Sequence, residues 1–165
     1  MGSSKPPYDE RTDIEKIRSQ WNKLIGLHER KEWSASIMRA ATAAEIAANF
    51  VIRKEFEKHS RFNAAFVDSL LLWANGLRGK MEKLVLKFPA AETRKAELKK
   101  LAKLSTEINE VRNQVAHSGN FANSSEARLV ESKARIFIEG MVSPYERGFS
   151  LKRLKIDQTQ EHEQS

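Results

Sequence analysis

The feature that most constrains this chain is an apolar repeat in its second half. Leu101, Leu104, Ile108, Val111 and Val115 recur at alternating spacings of three and four. At roughly 100° per residue, that spacing draws one narrow core stripe along a helix face. The rhythm recurs along the chain. Ile14, Ile17, Trp21, Leu24 and Ile25 carry it to about Arg30, and Ile37, Ala41, Ala44, Ala48, Val51 and Phe56 carry it from about Ser34. Phe66, Leu70 and Trp73, then Leu77, Met81, Leu84, Val85 and Phe88, form shorter pieces. Val130, Ala134, Phe137, Ile138 and Met141 line a last helix, and no strand pattern interrupts the series. The expected fold is all-α: a bundle of four to five main helices with short connections and helical content far above the usual third.

Start and stop signals divide the series. Thr12 or Asp13 can cap the first helix, since each offers an oxygen to the free N–H groups of an opening turn. Ser60 to Asn63, Asn75-Gly76 and Phe88-Pro89 break the pattern, and the helix starting near Ala91 stops at Gly119. Ser124 or Ser125 caps the last helix, and Ser143-Pro144 ends it. Residues 1–11, with Pro6 and Pro7, read as a flexible arm, and 12–145 as one helical domain. Residues 146–165 read as a basic tail: Tyr145 to Ile156 is apolar enough to pack across the bundle, while Gln158 to Ser165 is expected to be disordered.

Composition narrows the chemistry. At 165 residues the chain is long enough for one domain with a real core. The absence of cysteine removes disulfides, thiolate zinc sites and a cysteine nucleophile, and fits a cytoplasmic setting. No apolar run approaches the roughly 18 residues of a membrane span, and the N-terminus lacks the apolar stretch of a signal peptide. Gly2 is not followed by a myristoylation pattern, because position 6 is Pro6. There is no His-Glu-x-x-His, no acidic metal cluster and no nucleotide-binding glycine loop, so neither a metal nor another cofactor is expected. Gly76-x-x-Gly79-Lys80 resembles the loop of KH domains, but that loop belongs to a fold with a sheet. A net charge of +7, from 29 Lys and Arg against 22 Asp and Glu, gives mild support for an RNA partner.

The chemistry-bearing residues concentrate in Glu110-Val111-Arg112-Asn113-Gln114-Val115-Ala116-His117-Ser118-Gly119. Asn113 and His117, four apart, stack above each other away from the core stripe, and Arg112 falls at its edge. One reading is an ordinary helix end, with basic side chains complementing the dipole and Gly119 as the cap. The other is a phosphate site: Arg112 as a bidentate fork, His117 for proton transfer, and Asn113 to bond phosphate or position His117. Glu45 lies beside the alanine-rich seam of the second helix, either as a solvated edge residue or as a buried partner of Arg112; the pairing is the expectation taken forward. The basic run Arg94, Lys95, Lys99, Lys100 and Lys103 is either a solvated face or a phosphate-facing stripe leading to Arg112. His28, His59 and His162 stand outside any such constellation and are expected at the surface.

The string Arg112-Asn113-x-x-Ala116-His117-x-Gly119 resembles the Arg-x4-6-His signature of the HEPN superfamily of all-helical domains. The layout of residues 33–141 is also similar: an alanine-rich helix carrying Glu45, then Leu77 to Leu84, the motif helix and one more helix. This order looks like that of the mannitol operon repressor-like proteins within the superfamily. The resemblance implies a metal-independent endoribonuclease, of the kind found among toxins and phage-defence effectors, with a neutralising antitoxin protein as a partner. Its alternative implication is a non-catalytic helical regulator or adaptor. One motif per chain supplies one proton-transfer group, so a homodimer placing two motifs across one cleft is expected, and the resemblance implies the same.

Overall fold

The computed structural model describes residues 5–119 and 121–155, and among these it is all-helical, with six α-helices and no strand. They are α1 (Asp13–Glu29), α2 (Trp33–His59), α3 (Ala64–Trp73), α4 (Gly76–Lys83), α5 (Glu92–His117) and α6 (Ser124–Val142). The four long helices α1, α2, α5 and α6 make the bundle, and α3 and α4 cross one side of it. Helix α2 is the hub, touching every other helix, while α5 and α6 pack on each other.

Local chemistry sets the boundaries. Thr12 caps α1 in a reciprocal box with Glu15: the Glu15 N–H donates to Thr12 Oγ1 at 3.2 Å, and the Thr12 N–H donates to the Glu15 carboxylate at 2.8 Å. Those bonds hold the Glu15 carboxyl below the usual carboxylate range, the backbone bond from Thr12 contributing most. Asn123, rather than Ser124 or Ser125, caps α6 in the same way with Glu126. Helix α5 ends at His117, and Gly119 takes the left-handed φ of 62° that suits glycine at this position after a helix end.

Helix α2 buries Ala40, Ala43, Ala44, Ala47 and Ala48 completely. By length and composition α2 could cross a membrane, contrary to the expectation that no segment would, because many alanines add up to a moderately apolar window. Here it is the core helix, and its composition alone assigns it no membrane. Helix α3 is rotated relative to the expected face. Val67, Leu71 and Ala74 are buried, whereas Phe66, Leu72 and Trp73 are exposed.

The segment after α6 packs across the bundle. Phe149, Leu151 and Leu154 are buried, the Trp21 indole N–H donates to the Lys152 carbonyl at 2.8 Å, and the Leu151 N–H donates to Glu139 at 3.0 Å. Tyr145 donates to the buried carboxylate of Glu55, and burial, then that bond, push the phenol pKa up. Within the N-terminal arm, Tyr8 docks on α1, its hydroxyl accepting from Gln20 at 2.7 Å. Gln158 to Ser165, expected to be disordered, lie outside the described residues.

The turn from α1 to α2 holds an unusual residue. The Glu32 N–H donates to the Leu27 carbonyl and the Lys31 N–H to the His28 carbonyl, each at 2.9 Å, which closes α1 with Lys31 at φ 59°. Glycine is the usual occupant of such a left-handed position, where a Cβ crowds the following carbonyl. Lys31→Gly is therefore expected to stabilise the fold by about 1 kcal/mol. The check is a urea melt, in which the midpoint should rise with an unchanged slope; Lys31→Ala, which keeps the Cβ, should give no comparable gain.

Candidate functional site

Apart from Glu45 on α2, the expected site residues lie on α5, off its core stripe. Leu101 and Ile108 are buried, and Leu104, Val111 and Val115 pack against the core. At 100° per residue, Arg112 lies roughly 140° around the helix from His117, with Asn113 between them. Arg112 and Asn113 are half-buried and His117 is exposed.

Arg112 and Asn113 line a cavity of about 320 Å³ with Glu45 and Thr42 of α2, Asn109 of α5, and Asn75 before α4. The Arg112 guanidinium Nη1 donates to Asn113 Oδ1 at 3.0 Å, so adjacent residues hold the fork in place. Three amide side chains and a guanidinium around one cavity suit a polar ligand with hydrogen-bonding edges, the guanidinium offering a fork to an oxyanion and the Glu45 carboxylate adding an acceptor. His117 is not among the lining residues. Within one chain, the structure thus gathers Arg112, Asn113 and Glu45 and leaves His117 on the outer face, one turn beyond Asn113.

Glu45 reaches this cavity, but its ion pair is with Lys80, Nζ to Oε1 at 2.5 Å, and not with Arg112. The reason is burial. Lys80, on α4, is 5% exposed, and an ammonium removed from water requires a counter-charge. The expected Glu45–Arg112 pair is replaced by two contacts, Glu45–Lys80 and Arg112–Asn113. Lys80 was missed in the sequence, though it falls between Leu77 and Leu84 on the buried phase of α4.

Lys99, Lys100 and Lys103 are exposed and form no ion pair among the described residues, whereas Lys95 pairs with Glu92 and Arg94 with Glu97. Lys99 and Lys103 share the face of His117, not that of Arg112, because Lys99 precedes His117 by about five turns of 3.6 residues. The basic stripe thus leads to His117.

The expectation for His28 is overturned. It is 3% exposed, with Nδ1 2.9 Å and 2.7 Å from the two oxygens of Glu131. Its burial follows from register, since Ile17, Trp21, Leu24 and His28 share one phase of α1; that spacing was legible in the sequence. His59 is exposed and pairs with Glu55 at 3.1 Å, and His162 lies outside the described residues. Among the described residues, no three His, Asp or Glu side chains come together as a metal-binding group.

Compared with known proteins, the chain matches no family model, no curated protein and no solved structure.

The Glu45–Lys80 pair is expected to respond asymmetrically. Glu45→Ala strands a buried ammonium and should cost about 3 kcal/mol. Lys80→Met should cost about 1 kcal/mol or less, because the Glu45 side chain, 36% exposed, keeps access to water. Equal losses in chemical denaturation would show that burial of Lys80 does not govern the pair.

Proposed function

We propose that the protein is a metal-independent endoribonuclease of HEPN type, with Arg112, Asn113 and His117 as its catalytic residues. The observation that carries this reading is the Arg112 fork, held by Asn113 at the wall of a polar cavity, with an exposed imidazole one helical turn beyond. RNA supplies its own nucleophile, the 2′-hydroxyl, which attacks the adjacent phosphate. The 2′-oxygen forms the new bond to phosphorus, the bond to the 5′-oxygen breaks, and a cyclic phosphate remains. Imidazole suits the transfer of the protons, and the guanidinium suits the charge that gathers on the phosphate oxygens. Lys99 and Lys103, on the face of His117, would attract the RNA backbone.

The site is completed in a symmetric homodimer, which brings His117 of the partner subunit to the Arg112 cavity. At the end of α3, shortly before Asn75 in the chain, Leu72 is 81% exposed and Trp73 67%, and such large apolar side chains suit an interface. The resemblance adds a role as toxin or phage-defence effector, restrained by a neutralising protein. A second reading, a non-catalytic regulator or adaptor, is favoured by the distance of His117 from the cavity within a single chain.

Purified protein incubated with RNA in EDTA separates the two. Cleavage should persist without metal, yield cyclic phosphate ends, favour unpaired segments and fail at a 2′-deoxy sugar. His117→Ala should lose roughly a hundredfold or more in rate while keeping its melting temperature, and Arg112→Lys should be impaired because a point charge cannot replace the fork. Light scattering should give a dimer at micromolar concentration. Inactivity of the folded wild type on all RNA would favour the regulator, and a monomer would remove the composite site.

A further inference from the structure

A second cleft, of about 640 Å³, is lined by residues of α1, the α1–α2 turn, the start of α2, the start of α6 and the C-terminal segment, and shares no lining residue with the Arg112 cavity. Its size falls within the range of about 300–1,000 Å³ typical of small-ligand pockets. Ile25, Trp33 and Leu154 give it an apolar and aromatic side, while Lys31, Arg128 and Lys155 make it basic. Glu29 offsets Lys155 at 3.6 Å, but Lys31 and Arg128 make no ion pair among the described residues. Ser124 also lines the cleft, at the positive end of the α6 dipole, where the first N–H groups have no intrahelical partner.

The lining that points to a ligand is the combination of Lys31 and Arg128, unpaired among the described residues, with the aromatic and apolar side, and His28 stands beside it. His28 lines the cleft and is almost fully buried, with its ring edge against Trp33 at a centroid distance of 5.0 Å. Nδ1 is engaged by Glu131, which does not line the cleft. A carboxylate only accepts hydrogen bonds, so Nδ1 carries a proton directed at Glu131. Nε2 is buried without a hydrogen-bond partner, and His28 borders both the cleft and a smaller void beside Glu131. The void beside Glu131, about 20 Å³, has room for about one water only.

We propose that this cleft binds a small phosphate monoester with an aromatic body, of the nucleoside monophosphate type. The aromatic body packs against Trp33, Ile25 and Leu154. The phosphate lies between Lys31, Arg128 and the start of α6. The site is separate from the proposed ribonuclease centre and does not rest on that reading.

The full-length protein titrated calorimetrically with AMP, GMP, CMP and UMP, with adenosine and inorganic phosphate as partial ligands, tests the proposal. At least one monophosphate should bind saturably, and more tightly than either partial ligand. Arg128→Ala should weaken that binding at least tenfold. Lys31→Gly should weaken it several-fold although the unliganded variant melts higher than wild type, so loss of binding there cannot be misfolding. His117→Ala should bind as wild type does. Absence of saturable binding by all four monophosphates at millimolar concentration would overturn the proposal. So would equal binding of phosphate alone, binding indifferent to both Lys31→Gly and Arg128→Ala, or binding confined to RNA oligonucleotides.

Discussion

The fold depends on how closely other helices can approach α2. Ala40, Ala43, Ala44, Ala47 and Ala48 have no exposed surface, and a run of methyl groups lets α1 and α6 pack near the α2 backbone. Larger residues would overpack this seam and push the neighbouring helices away. The bulk of the core comes from the partners, with Trp21 and Leu24 from α1 and Phe137, Ile138 and Met141 from α6. Close approach recurs between α5 and α6, where a Cβ on Gly140 would come within 2.9 Å of a Leu101 methyl group.

Polar groups at the margins of this core bind the helices together, because each must find a partner once removed from water. His28 joins α1 to Glu131 of α6, Lys80 joins α4 to Glu45 of α2, and Tyr145 joins the segment after α6 to Glu55 of α2. The indole of Trp21 fixes the C-terminal segment in the same manner. Two of these ties adjoin a candidate site. Glu45–Lys80 forms part of the surroundings of Arg112, and His28–Glu131 orients the ring that borders the second cleft.

The α5 helix separates its side chains by angle. Its core stripe faces the bundle, Arg112 and Asn113 border the cavity towards α2 and α4, and His117 with Lys99 and Lys103 faces outward. Within one chain, Arg112 and His117 therefore lie on different faces of α5.

The helical architecture was readable from the sequence alone, because periodicity is a local property that needs only the angle per residue. Val130, Ala134, Phe137, Ile138 and Met141 were assigned to the core and are buried there. The capping of α1 by Thr12 and the end of α5 before Gly119 were equally local. The positions of Arg112, Asn113 and His117 relative to the α5 stripe also follow from spacing. Tertiary packing decided which face of α3 turns inward, since its nearly uniform apolar sequence, Leu70 to Trp73 above all, offers no contrast to set a phase. It likewise decided that Glu45 pairs with Lys80 rather than Arg112, that His28 meets Glu131, and that His117 stays outside the cavity. Each of these depends on the distance between helices far apart in sequence. A residue's own spacing can place it on a face, but only the neighbouring helix determines what that face meets.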